Sequence, residues 1–226
     1  MIIGSLANMI AILLGSSIGL LLNRRLSPEI QNISYTGLGL AILVLGMQMS
    51  LKMENFIIVI FSIVLGGIAG EILQLDHRID RLGKRLESKM KAGNDRFAEG
   101  LVTAFLIYCV GSLSILGPLE EGLRNDPSLL LTKSVLDGVT SVVLASVYGS
   151  GVLFSAFPVF LFQASITLVA AQLEPFLSDG LINQISAVGG LLIIGLGINL
   201  LKLKEIPVIK LVPALLVVVV INFLWF

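Results

Sequence analysis

Lys133 and Asp137 stand four residues apart inside Pro127 to Tyr148, an otherwise apolar run of 22 residues. At helical spacing their side chains share one face and can meet. At about 1.5 Å per residue, Lys133 lies roughly 9 Å and Asp137 roughly 15 Å along the axis from Pro127. The second figure is near the centre of a hydrocarbon core about 30 Å thick. A charged residue there costs about 2.5–3.5 kcal/mol on insertion scales, so intramembrane ionisable residues point to a functional site. The chemistry they offer is ion or proton exchange, with Asp137 as the exchangeable carboxylate and Lys133 as its modulator. The competing reading is a neutralised pair that ties helices together. Ser134 and Ser141 fall on the same face, and Asn125-Asp126-Pro127 supplies the helix start, with Asp126 as N-cap.

Other polar side chains sit within apolar runs: Asn8, Gln48, Thr103, Ser112, Gln163, Thr167 and Asn199. Gln163 and Thr167 share a face five residues beyond Pro158, which removes a backbone hydrogen bond and is expected to kink its helix. Gln48, Gln163, Thr167 and Asn199 therefore join the candidate solute- or ion-binding set with Asp137, Lys133, Ser134 and Ser141. Ahead of them, Gly117, Pro118 and Gly122 are expected to break a helix after Leu116. Glu120 and Glu121 would then gather cations at an external mouth, and 117–127 forms a broken or re-entrant loop.

The chain excludes several chemistries. With one cysteine, Cys109, and one histidine, His77, it has no internal disulfide and no multi-cysteine metal site. No P-loop motif is present, so no nucleotide cofactor is expected. Ser112, Ser134 and Ser141 are potential nucleophiles with Lys133 as base, but no Ser–His pair and no zinc-protease motif supports an enzyme. The formal net charge of zero gives no electrostatic footprint for nucleic acid.

These residues must be positioned by membrane helices. The composition is 56% hydrophobic and 13% charged, with a mean hydropathy of +0.99, whereas soluble domains carry about 25% charged residues. The expected fold is all-α, a single polytopic bundle over residues 1–226. About eight spans are expected, near 2–22, 35–51, 56–73, 97–116, 128–148, 152–173, 181–201 and 209–225. Placing the amino terminus outside puts twelve of the fifteen Lys and Arg residues in the cytoplasm, as the positive-inside rule requires, and both termini outside. In 74–96, Leu75, Ile79, Leu82, Leu86 and Met90 recur at helical spacing among basic residues. This reads as a cytoplasmic amphipathic connecting helix suited to anionic lipid, or to packing on the bundle.

Two further patterns concern packing. Ala7, Ala11, Gly15 and Gly19 form one small-residue ridge, and Ser62, Gly66 and Gly70 another, as close helix contact in lipid demands. Gly39 to Asn55 echoes Gly190 to Ile206: Gly39 matches Gly190, Gly46 matches Gly197, Gln48 matches Asn199 and Glu54 matches Glu205. With the two segments running in opposite senses, spans one to three and six to eight would form an inverted repeat, a common transporter plan.

The stretch "SLSILGPLEEGLRNDPSLLLTKSVLDG", with "GGIAGEILQLD", "ASVYGSGVLFSAFPVFLFQ" and "GLGINLLKLKEIPVIKLVPALL", resembles the YdfK/YqgA-like bacterial membrane proteins (domain-of-unknown-function family 554). Gly117, Pro118, Gly122, Asp126, Pro127, Lys133, Ser134 and Asp137 carry the central pattern, and the likeness covers essentially the whole chain. It implies a multi-pass protein of the bacterial cytoplasmic membrane and supplies no substrate. The resulting expectation is a gradient-driven transporter or channel for a small solute or ion. The alternatives are a structural or regulatory subunit of a membrane complex and, further off, an intramembrane enzyme. The expected partners are the lipid bilayer, the unidentified solute or ion and a second copy of the chain.

Overall fold

A computed structural model describes residues 2–23, 28–79, 81, 97–109 and 112–225. Among them the secondary structure is helical, without strands. The principal helices are α1 (Ile3–Asn23), α2 (Pro28–Ser50), α3 (Phe56–Ile72), α4 (Phe97–Cys109), α5 (Ser112–Arg124), α6 (Ser128–Tyr148) and α7 (Ser150–Leu168). A short α8 (Ala170–Leu173) and a 3-10 turn lead to α9 (Asp179–Leu200), α10 (Val208–Leu211) and α11 (Ala214–Trp225). Each expected apolar stretch carries helix. By length and composition, α1, α6, α7 and α9 are able to cross a membrane, and α4 with α5 makes a fifth candidate, bent by 59°. Thr36–Ser50, Phe56–Ile72 and Val208–Leu224 are shorter apolar helices. Of the expected connecting helix, residues 80 and 82–96 lie outside the described residues.

Local chemistry explains the boundaries. Asn55 starts α3 by accepting hydrogen bonds from Ile57 N (3.0 Å) and Ile58 N (3.3 Å). Asp126 accepts from Ser128 N at 2.9 Å at the start of α6, and Asn125 takes the left-handed turn before it at φ 58°, a conformation Asn tolerates. The Ser128 hydroxyl and N–H hold the Asp126 carboxyl below its ordinary value. Gly149, at φ 77° and ψ −148°, is the only residue between α6 and α7. That backbone region is essentially glycine-only, so one residue is enough to reverse the chain.

In the fourth apolar stretch α4 and α5 are bent by 59° from one another, and residues 110 and 111 between them lie outside the described residues. Gly117, Pro118 and Gly122 all lie inside α5. The Ser114 hydroxyl donates to the Tyr108 carbonyl at 2.6 Å, replacing a backbone bond at the end of α4. α7 likewise runs on through Pro158.

The chain forms two compact units: 1–31 with 85–178, and 32–84 with 179–226. In the first, α1 and α6 run parallel, with Asn8 meeting Asp137, Gly15 lying against Gly138 and Ser141, and Gly19 against Val142 and Ala145. α4 and α7 are also parallel, since Phe97 pairs with Phe154 and Phe105 with Phe162, at ring separations of 5.5 and 6.3 Å. In the second unit, α3 lies antiparallel to α10 and α11, with Gly66 against Ala214 and Gly70 against the Lys210 carbonyl. Ile58, Val59, Ala187, Val188, Ala214 and Val218 form its core. Lys210 Nζ closes one end, 2.8 Å from Glu71 Oε2 and 3.1 Å from Asp76 Oδ2.

Both small-residue ridges are thus seams. A Cβ on Gly15 would collide with the Gly138 carbonyl. Gly15→Val is expected to cost about 1–3 kcal/mol through overpacking. Leu14→Ala, at a position 62% exposed, should change stability by no more than about 0.5 kcal/mol. Thermal unfolding in detergent, followed by the reactivity of the buried Cys109 thiol, measures both. Equal loss in the two variants contradicts the seam.

Candidate functional site

The first unit buries a polar cluster that α1, α4, α6 and α7 all supply. Lys133 Nζ contacts Asp137 Oδ2 on one face of α6, one helical turn apart, with their side chains only 6% and 10% exposed. Asn8 of α1 donates its Nδ2 to the same oxygen at 2.9 Å, and to Gln163 Oε1 of α7 at 3.1 Å. Asn8 and Gln163 are fully buried. From α4, the Tyr108 hydroxyl bonds Ser141 Oγ at 2.7 Å, and its ring lies 5.9 Å from Lys133 Nζ. That is within reach of a cation–π contact. Ser141 in turn donates to the Asp137 carbonyl at 2.6 Å. The bend between α4 and α5 therefore follows directly on Tyr108, at the level of the ion pair.

Two amide atoms in the cluster, Asn8 Oδ1 and Gln163 Nε2, are buried without a protein partner. Such groups cost about 1–3 kcal/mol each if left unpaired. No group of three or more His, Cys, Asp or Glu side chains suited to a metal ion occurs among the described residues.

The candidates drawn from the sequence separate accordingly. Lys133, Asp137, Ser141 and Gln163 come together. Ser134 and Thr167 are buried beside them, but their hydroxyls bond carbonyls of their own helices, Leu130 O at 2.7 Å and Gln163 O at 3.1 Å. Asn199 and Gln48 belong to the second unit. Asn199 clamps the α9–α10 turn through Ile206 O (2.8 Å) and Ile206 N (2.7 Å), and Gln48 is exposed on α2. Asn8 and Tyr108 are the additions. Neither spacing nor composition singles out an asparagine 129 residues before its partner.

The proposed mouth residues sit where α5 meets the amino end of α1. Glu120 pairs with Arg124 at 2.7 Å on the surface. Glu121 is 1% exposed, and its Oε1 accepts from Gly4 N at 3.0 Å. A carboxylate at a helix amino terminus satisfies an orphan N–H and complements the dipole. Gly117 packs on Leu130, and Gly122 on the Thr167 carbonyl and Ala170, which seats α5 against α6 and α7.

Removing one partner of a buried pair is far costlier than removing both. Lys133→Met should therefore destabilise the protein by about 3–5 kcal/mol, and Lys133→Met with Asp137→Leu should recover most of that loss. The same Cys109 unfolding assay checks this. An additive double mutant contradicts direct pairing.

The family model described as "Protein of unknown function (DUF554)" matches residues 3–223. The chain is 38% identical over 224 residues to "Uncharacterized membrane protein YdfK" of Bacillus subtilis (strain 168), covering 97% of this chain and 95% of that protein. It is 31% identical over 231 residues to "Uncharacterized protein YqgA" of Escherichia coli (strain K12), covering 100% and 98% respectively. No solved structure matches. With a family model spanning nearly its whole length and apolar helices of crossing length, this chain belongs to the DUF554 family and is a membrane protein.

Proposed function

We propose that this protein is a gradient-driven transporter or channel for a small solute or ion, with Asp137 and Lys133 at its working site. The observation that carries this reading is the polar cluster buried between α1, α6 and α7, with Asn8 Oδ1 and Gln163 Nε2 left without protein partners. The two unpartnered amide atoms offer a donor and an acceptor to a polar guest. The helix bend beside Tyr108 supports the same reading, because interrupted helices in membranes line sites or cavities.

The reading includes eight spans in a bacterial cytoplasmic membrane, both termini outside, with an inverted repeat. Packing within the second unit supports the repeat. A Cβ on Gly39 would come 3.5 Å from the Gly197 carbonyl, and one on Gly46 would come 2.7 Å from the Gly190 carbonyl. Since Gly39 matches Gly190 and Gly46 matches Gly197, exchanging the two segments turns one contact into the other. A two-fold relation between antiparallel helices has that property. Spans two, three, seven and eight fall in the second unit, and spans one and six in the first, so matched spans share a unit.

Proteoliposomes carrying H⁺, Na⁺ or K⁺ gradients, with and without pooled amino acids, sugars and organic acids, test the proposal. Wild type is expected to dissipate at least one gradient faster than empty vesicles. Asp137→Asn should slow it about tenfold or more, equivalent to ~1.4 kcal/mol of barrier, with Cys109 still protected. Flux equal in wild type and variant removes Asp137 from the mechanism. No flux under any condition favours a structural subunit instead.

A further inference from the structure

The amide contacts around Asp137 have a single polarity. An ionised carboxylate only accepts hydrogen bonds, so Asn8 must aim Nδ2 at Asp137 Oδ2, as it does at 2.9 Å. The same Nδ2 reaches Gln163 at 3.1 Å, so Gln163 must present Oε1 to it. The unpartnered Asn8 Oδ1 and Gln163 Nε2 are therefore a consequence of the charge on Asp137. The amide directions follow from the carboxylate and not from a choice of atom labels.

The cluster is also poorly suited to a metal cation. Lys133 Nζ and Asn8 Nδ2 already share Asp137 Oδ2, which leaves few oxygens for a metal ion, whereas a proton needs only one. Hard cations such as Ca²⁺ take six or more oxygens. Around Asp137, α4 brings Tyr108, its ring 5.9 Å from Lys133 Nζ, and next to it in sequence the buried Cys109 thiol. α1 and α7 bring only the amides Asn8 and Gln163. α5 brings the buried Glu121, bound to Gly4 one helical turn before Asn8 on α1.

We infer that the ion this site takes is a proton received by Asp137, with Asn8 as the residue that reads its charge and passes it to Gln163. This rests on the reading of Asp137 as an exchangeable carboxylate. A proton from water bonds to an Asp137 oxygen, turning an acceptor into an O–H donor. Asn8 then rotates its amide so that Oδ1 accepts from that O–H, and Gln163 rotates so that Nε2 donates to the same Oδ1. Both contacts survive with reversed polarity, and the two previously unpartnered atoms become the bonded ones. Protonation breaks the ion pair with Lys133, a cost of the kind the Lys133→Met variant measures, which the reversed amide bonds and entering water must offset. The signal ends on α7 at Gln163, one helical turn from Thr167, whose carbonyl seats Gly122 of α5.

Infrared difference titration of the purified full-length protein in lipid nanodiscs tests this, with Asp137→Asn subtracted to isolate one carboxyl. A carboxylic-acid carbonyl band should grow on acidification, with a midpoint indifferent to Na⁺ or K⁺ at constant ionic strength. Asn8→Leu removes a charge-assisted bond from the ionised form and a weaker neutral one from the protonated form, so it should raise that midpoint by about one pH unit, a roughly tenfold gain in proton affinity. A midpoint that falls steadily as Na⁺ or K⁺ rises overturns the proton assignment, while leaving a transport role for the site. An absent band, or a midpoint unmoved by Asn8→Leu, overturns it as well. The cation series uses wild type alone, so it decides the matter even if Asn8→Leu fails to fold. Because the titration needs no flux, its outcome is separate from that of the vesicle experiment.

Discussion

An ion pair one helical turn long, Lys133 to Asp137, is the constraint around which the first unit is organised. Neither charge is tolerable alone in an apolar bundle, and the pair by itself leaves further hydrogen-bonding capacity to fill. Asn8 supplies part of it and is itself held by Gln163, and to do so α1 and α7 must approach α6 closely. That explains why the α1–α6 seam is lined by Gly15, Gly19 and Gly138, and why the single residue Gly149 joins α6 to α7. Tyr108 extends the same demand to α4. The bend that follows it is stabilised where Ser114 takes over the Tyr108 carbonyl.

The second unit follows a different rule. Its core is aliphatic, and its polar side chains mainly hold turns and helix ends: Asn199 on Ile206, Asn183 on Glu54, Lys210 on Glu71 and Asp76. Among the described residues, the first buries a charged pair with two amides, whereas the second buries uncharged polar side chains such as Ser62, Gln184 and Ser186. A division between a working unit and a supporting one fits the proposed transport role.

Much of this was legible in the amino-acid sequence, because hydropathy and i, i+4 spacing are local properties. The Lys133–Asp137 contact, the start of α6 near Asp126, and the glycine seams all follow from residues within a turn or two of one another. The failures came from partners distant in sequence. Asn8 looks like any isolated polar residue in an apolar run until α1 lies beside α6. Glu121 reads as a cation-gathering carboxylate at an external mouth, yet it is buried, its Oε1 accepting from the N–H of Gly4, 117 residues away. Gly117-Pro118 is the stronger breaker on paper. The helix nevertheless bends before Ser112, because Ser114 can satisfy the Tyr108 carbonyl there. Gln48 and Asn199 match in the sequence echo, but only the second has a turn to clamp.

The central claim is that water reaches Asp137 inside the membrane. Asp137→Cys and Leu144→Cys, each in a Cys109→Ser background, place thiols two turns apart on α6, the second at a fully buried apolar position. Membrane vesicles treated with a small, charged, membrane-impermeant thiol reagent give the measurement. The account predicts rapid labelling of Asp137→Cys and none of Leu144→Cys. Protection of both, as complete as that of a lipid-sealed core, would contradict it.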